Sequence, residues 1–159
     1  MVNKFDIQML DKAMKHAHER SGCCKVAVGC AIYNPSTHNK VYGANRAIPN
    51  LCKIKGCLRI EKYGEDSKNH RNPDDCRAIH SEIDAIGRAC KYGLHTHMAT
   101  AYVTRYPCEA CARALVSAGI ARVVYGGTTK ISQATEEIFN TVGIEVEFAE
   151  DWMEDNTDR

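Results

Sequence analysis

The 159-residue sequence has no excess of either charge: 21 lysines and arginines stand against 20 aspartates and glutamates, a formal net charge of +1. That near balance excludes the long-range positive field that gathers nucleic acid or an anionic membrane, while leaving room for a local basic pocket that takes a phosphate. No run of 18 apolar residues exists to span a bilayer. The N-terminal Met-Val-Asn-Lys-Phe-Asp-Ile lacks the charged, apolar and small-residue regions of a secretory signal. There is also too little length for two domains of typical size, so one domain over residues 1–159 and one dominant site are expected. These absences together predict a soluble, cytoplasmic protein with neither membrane nor nucleic acid among its partners.

Cysteine, by contrast, is plentiful. The nine cysteines are odd in number, and their grouping does not resemble a small secreted disulfide framework. In a reducing compartment, clustered cysteines are more often metal ligands. Cys30 and Cys90 sit within apolar, periodic stretches and read as small buried hydrophobes.

The periodicity predicts an α/β chain. Phe5, Met9, Leu10, Ala13 and Ala17 recur at helical spacing, giving a first helix that ends near Ser21-Gly22. Lys25 to Tyr33 reads as a strand, Asn34-Pro35-Ser36-Thr37 as a turn, and Lys40 to Asn45 as a second strand of an antiparallel hairpin. From Arg46 to Asp75 the sequence is polar and irregular, an insert too long to be structureless unless it is functional or cross-linked. Regularity returns at Cys76, leading into a helix through about Tyr92. Ala101–Thr104, Arg122–Tyr125 and Ile144–Phe148 then read as strands, with helices over Glu109–Ala118 and Ser132–Val142 between them. This alternation implies parallel crossovers. The tail after Trp152 is acidic and polar, and is expected to fray.

Two short strings carry the chemistry: His80-Ser81-Glu82 and Pro107-Cys108-Glu109-Ala110-Cys111. Each falls at the start of a helix. Cys108 and Cys111, three apart, share one side of the first turn, and the positive helix end favours thiolate over thiol. Pro107 suits a position that needs no amide donor. With His80 they fill three tetrahedral zinc positions and leave the fourth for water, whose pKa zinc brings toward about 7. Glu82, two residues from a ligand, is placed to move protons: it takes one from the water, gives one to a ring nitrogen, and helps ammonia leave. Alone, a CxxC could be a redox pair or half of a structural zinc knuckle; jointly, HxE and PCxxC are the signature of zinc-dependent nucleobase deaminases.

His80 to Ile86, Ala101-Tyr102-Val103-Thr104 running into Pro107-Cys108, and Ala118 to Tyr125 resemble the core of the cytidine and deoxycytidylate deaminase superfamily over about residues 5 to 148. Ser21-Gly22-Cys23, Gly43-Ala44-Asn45, and the cysteine-bearing insert at about 46–76 are similar to the bacterial and phage branch acting on dCMP. The resemblance implies a three-layer α/β/α fold around a mixed five-stranded sheet. It also implies hydrolysis of dCMP to dUMP and ammonia, supplying the thymidylate precursor, in a bacterial or host cytoplasm. His80, Cys108 and Cys111 match the zinc ligands and Glu82 the proton shuttle; Asn45 matches an asparagine that holds sugar or phosphate, and the Ser81 backbone faces the pyrimidine carbonyl. Tyr106 is placed to pack on the pyrimidine, unless it is simply an exposed tyrosine at a strand end. Ser81, Asp84 and Ala44-Asn45-Arg46 depart from the family's usual Ala, Asn and Tyr-Asn-Gly. Arg46 is either a phosphate contact or a solvated loop cation.

The same resemblance implies a homo-hexamer activated by dCTP with Mg2+ and inhibited by dTTP. Arg88 and Lys91 are then either phosphate contacts at an interface or ordinary helix-surface cations. Cys52, Cys57 and Cys76, with Cys23 or Cys24, would bind a second, structural zinc that pins the insert; the resemblance selects Cys23, and His70 competes as fourth ligand. The alternative is that these thiols are free or merely packed. Two rival functions stand beside the first: a tRNA adenosine or other nucleobase deaminase, and a non-enzymatic zinc module that binds nucleic acid. Near-neutral charge argues against both, and zinc ribbons have little use for the carboxylate of HxE.

Overall fold

The computed structural model describes residues 1–47, 51–68, 75–127 and 131–155. The elements run α1 (Lys4–Arg20), β1 (Gly29–Tyr33), β2 (Lys40–Ala44), β3 (Arg46–Ala47), α2 (Leu51–Lys55), α3 (Leu58–Tyr63), β4 (Ala78–Ile79), α4 (Ser81–Lys91), β5 (Thr100–Val103), α5 (Glu109–Ser117), β6 (Arg122–Tyr125), α6 (Gln133–Val142), β7 (Glu145–Phe148) and α7 (Glu150–Asp155). Five strands form one mixed sheet in the order β2-β1-β5-β6-β7. β1 is antiparallel to both its neighbours, while β5, β6 and β7 are parallel, joined through α5 and α6. Among the described residues no helix is long and apolar enough to cross a membrane.

Strand alternation sends successive side chains to opposite faces and so builds three layers. Ala31, Tyr102 and Val124 point to one face and pack with Met9, Leu10 and Ala13 of α1 and with Trp152 of α7. Cys30, Ile32, Ala101, Val103 and Val123 point to the other and pack with Ala85 and Ala89 of α4, Ala112 and Leu115 of α5, and Phe139 of α6. This is the α/β/α sandwich expected from the sequence. Both helix layers approach closely where glycine removes the side chain: a Cβ on Gly29 would lie 2.0 Å from the Ala13 carbonyl oxygen, and one on Gly43 would lie 2.2 Å from that of Ser81. The Gly43 contact seats α4 directly on β2.

α1 begins with a reciprocal cap. Asn3 Oδ1 accepts from the Phe5 and Asp6 amides, and Asp6 Oδ2 accepts from the Asn3 amide at 2.9 Å. Asp6 is buried yet fully partnered, because Tyr102 donates to it at 2.9 Å and Arg122 grips both oxygens at 2.8 and 3.0 Å. Arg122 also pairs with Glu147, fastening α1 across β6 to β7.

Three sequence expectations need correction. The strand expected from Lys25 starts only at Gly29, where the Val26 carbonyl and the Val28 amide have turned to the Asn45 side chain in place of a strand partner. The insert is more regular than its sequence: α2, α3 and a 3-10 turn at Gly64–Lys68 fill it, in pieces too short to display a period, and β3 pairs with β4 to close it. α7 carries the chain through Trp152, which is buried and donates from Nε1 to Asp11 at 2.9 Å; positions 156–159 of the tail expected to fray lie outside the described residues. Cys90 is exposed and not buried, because α4 turns the row of Ile83, Gly87 and Cys90 to the outside.

Candidate active site

His80 and Cys108 occupy equivalent places, each the N-cap of its helix: His80 ends the short β4 and opens α4, while Cys108 follows the loop after β5 and opens α5. The two helix starts meet, so that Cys108 Sγ lies 3.5 Å and Cys111 Sγ 3.4 Å from His80 Nδ1. All three donor atoms lie within 4.8 Å of one another, the only such trio of His, Cys, Asp or Glu groups among the described residues. A tetrahedral zinc with Zn–S of about 2.3 Å and Zn–N of about 2.0–2.1 Å requires N···S separations of about 3.5–3.6 Å. The donor set therefore fits that ion without rearrangement.

The protonation of these groups is strongly biased. A hydrogen bond from Cys111, followed by one from His80, pulls the Cys108 thiol down to about 4 against the effect of burial. Cys111 is pushed the other way by Cys108, by burial and by Glu82. His80 is raised to about 10 by Cys108 and then by Cys76. Glu82 is 5% exposed and makes no part of the donor trio. Burial raises its carboxyl, offset in part by its own amide, His80 and the Ser81 hydroxyl, which donates to Oε2 at 3.0 Å. A buried carboxyl lifted toward neutrality is suited to carrying a proton at working pH.

His80, Glu82 and Cys108 open into a cavity of about 340 Å³, which Asn45, Ser81 and Tyr106 also line. A family model for the MafB19-like deaminases matches residues 3–155 of the chain. The chain belongs to that family. It is 32% identical over 142 residues to ComE operon protein 2 of Bacillus subtilis (strain 168), a match covering 82% of this chain and 64% of that one. It is 41% identical over 126 residues to the deoxycytidylate deaminase of Enterobacteria phage T4, covering 78% and 64%. The matched region thus spans just under two thirds of the length of these curated relatives. The fold matches a crystal structure of the dCMP deaminase from cyanophage S-TIM5 in complex with dCMP and dUMP, with a TM-score of 0.69 at 20% identity, covering 93% of this chain and 98% of that one.

Within this MafB19-like deaminase the other anticipated residues fall into distinct places. Asn45 lines the cavity, but most of its amide is engaged in the scaffold: Oδ1 accepts from Ser21 Oγ and the Val28 amide, both at 2.8 Å, and Nδ2 donates to the Val26 carbonyl at 2.9 Å. One Nδ2 hydrogen remains for a ligand. Tyr106 is not an exposed strand-end ring; it is 8% exposed and meets Tyr125 edge-on at 4.8 Å. Arg46 is exposed but ion-paired: its guanidinium reaches Asp84 Oδ1 through Nε and a terminal nitrogen, both at 2.8 Å. Asp84 Oδ2 accepts from the Ala44 amide at 3.1 Å and from Arg88 Nε at 3.0 Å. The two departures at positions 46 and 84 are therefore one ion pair that ties β3 to α4, while the Ala44 amide ties the end of β2 to the same carboxylate. Arg88 serves this clamp, and Lys91 is exposed beside Tyr92; neither lines the cavity.

The remaining cysteines do not form a second compact donor set among the described residues. Cys52 is buried and feels Cys24, Cys23, Cys57 and Cys76 electrostatically, and the exposed Cys24 hydrogen-bonds Cys57. Cys76 instead bonds the His80 imidazole, which lowers its own pKa. Cys23, Cys57 and Cys76 all line the cavity. His70 lies outside the described residues. Sequence reasoning missed the Asp84 clamp, although the Asp84-Arg88 spacing of four on a helix signals an ion pair. It also missed Cys76 as a neighbour of His80, for which no spacing rule exists.

Proposed function

We propose that this chain is a zinc-dependent hydrolytic deaminase that converts dCMP to dUMP and ammonia. The observation that carries the reading is a buried, protonatable Glu82 beside a three-donor site sized for zinc, within a nucleotide-sized cavity. Similarity to deoxycytidylate deaminases supports the choice of base and sugar. His80, Cys108 and Cys111 would hold zinc, which supplies Lewis-acid activation of water at neutral pH. Glu82 moves protons at its carboxylate: it accepts one from the attacking water and delivers it to the pyrimidine ring nitrogen, then takes the second from the added hydroxyl and delivers it to the departing amine, so that water adds and ammonia leaves in balance. The Ser81 hydroxyl holds Oε2 during these transfers, Tyr106 offers a ring face to the base, and Asn45 gives its remaining amide hydrogen to the nucleotide.

The finer proposals rest on the superfamily resemblance: dUMP supply for dTMP synthesis in the cytoplasm, a single domain carrying the insert, a hexamer activated by dCTP with Mg2+ and inhibited by dTTP, effector contacts at Arg88 and Lys91, and a structural zinc on Cys23, Cys52, Cys57 and Cys76. Comparing dCMP, cytidine, cytosine and an adenosine-bearing RNA stem-loop as substrates, with and without dCTP-Mg2+ and dTTP, tests the reading. Turnover of dCMP is expected; turnover of the RNA alone would overturn it.

A further inference from the structure

β5 and β6 are parallel and end level, Val103 beside Tyr125, so the loop that leads to Cys108 and the pair Gly126-Gly127 leave the sheet together. Neither glycine has a positive φ, so the backbone conformation does not require them. What requires them is the group standing where each side chain would be. A Cβ on Gly126 would lie 2.1 Å from Cε3 and 2.4 Å from Cζ3 of Trp152, and one on Gly127 would lie 2.5 Å from the Thr104 carbonyl oxygen. The Trp152 ring of α7 therefore rests on the backbone of Gly126, and Gly127 rests on the loop from β5. Two backbone hydrogen bonds complete the join: Gly126 donates to the Val103 carbonyl at 3.0 Å, and the Tyr106 amide donates to the Gly127 carbonyl at 3.4 Å.

Trp152 is itself fixed, packed in one cluster with Met9, Leu10 and Ala149 and bonded to Asp11. It does not line the cavity, whereas Tyr106 does, directly before Pro107-Cys108. The Tyr106 ring is backed from the same end of the chain, since Tyr125 meets it edge-on and Phe148 of β7 packs on Tyr125 with ring centroids 5.2 Å apart. Tyr106 is thus held at its backbone by way of Trp152 and at its ring by way of Phe148.

We infer that Trp152 is a positioning residue for the reaction: through Gly126 and Gly127 it sets the place of Tyr106, so that α7, which belongs to neither catalytic string, fixes one wall against which the base is presented. This rests on the deaminase reading of the cavity, in which Tyr106 faces the base.

The test is a double-mutant cycle in kcat/KM for dCMP, combining Trp152→Leu with Tyr106→Leu in zinc-loaded protein well below each variant's Tm, with zinc content measured on each. Trp152→Leu should lower kcat/KM by about 10–100-fold in the parent and by less than about threefold in the Tyr106→Leu background, with zinc unchanged. Trp152→Phe, which keeps a ring over Gly126, should recover most of the loss. Equal losses in both backgrounds, or no loss, would overturn the inference. Should Trp152→Leu fail to fold, Gly126→Ala opens the same contact from the other side and takes its place in the cycle, with the same two outcomes. If the parent turns over no dCMP, the deaminase reading fails and hydrogen exchange at the Tyr106 amide decides the coupling separately. Trp152→Leu should speed that exchange about tenfold or more relative to the β1 amides; a change no greater than theirs overturns the coupling.

Discussion

Replacing Asp84 by asparagine should loosen the junction between sheet and catalytic helix by an amount that its contacts define. The carboxylate is 2% exposed and accepts from Ala44, Arg46 and Arg88. An amide has one acceptor oxygen in place of two, so its NH2 must face either Arg46 or, together, Arg88 and the Ala44 amide, donor against donor. Leaving that buried N–H without an acceptor costs about 1–3 kcal/mol. The arginines contribute less, because Arg46 is 46% and Arg88 27% exposed and water re-solvates both; pairs of this kind are worth about 0.2–1 kcal/mol each. With the Ala44 amide unpaired the sum is about 1.4–5 kcal/mol, which lowers Tm by about 3–20 °C in a chain of this size; with the NH2 toward Arg46 only the pair energies, about 0.4–2 kcal/mol, are lost. Urea unfolding followed by far-UV circular dichroism measures it. Arg46→Gln alone should cost at most about 1 kcal/mol. The double variant should lose about 0.5–1 kcal/mol less than the two singles added together, because they share one contact. Asp84→Asn within about 0.5 kcal/mol of the parent, or additive singles, would refute the clamp.

Gly43→Ala should displace α4 by roughly an ångström, since its Cβ would otherwise sit 2.2 Å from the Ser81 carbonyl oxygen and 2.4 Å from the Ala85 amide; deaminase activity should then fall about 100-fold while the far-UV spectrum stays folded. Although burial opposes it, Arg122, Asn3 and Tyr102 hold the Asp6 carboxyl below its ordinary value. Its stabilisation is therefore complete above the unfolded carboxyl pKa of about 3.9 and is lost as pH falls through the lower folded value. Urea midpoints taken from pH 6 downward should fall more steeply for the parent than for Asp6→Asn. Trp152→Ala removes a side chain only 3% exposed and should cost about 3–5 kcal/mol in the same denaturation assay.

The parts of the fold legible in the sequence were those governed by local period. The stripe of Met9, Leu10, Ala13 and Ala17, the three parallel strands and the helices between them follow from spacing alone, because burial on one face leaves a repeating mark. The convergence of His80 with Cys108 and Cys111 was readable for another reason: metal ligands at helix starts carry their own spacing. What was not legible depends on contacts between distant residues. Arg46 looked like a solvated cation or a phosphate contact until Asp84, 38 positions on, was seen beneath it. Cys76 resembled a member of the second cysteine group alone, but besides acting on Cys52 it also interacts with His80. Lys25, Arg59 and Arg105 meet at one cavity from three separated segments, and no one-dimensional pattern joins them.

The most direct test of the central claim, that Glu82 moves the protons beside a zinc held by His80, Cys108 and Cys111, is dCMP turnover by Glu82→Gln together with its metal content. The expected result is zinc retained at the parent level and kcat lowered by about 10²–10⁴-fold. Retained zinc with undiminished turnover would contradict it.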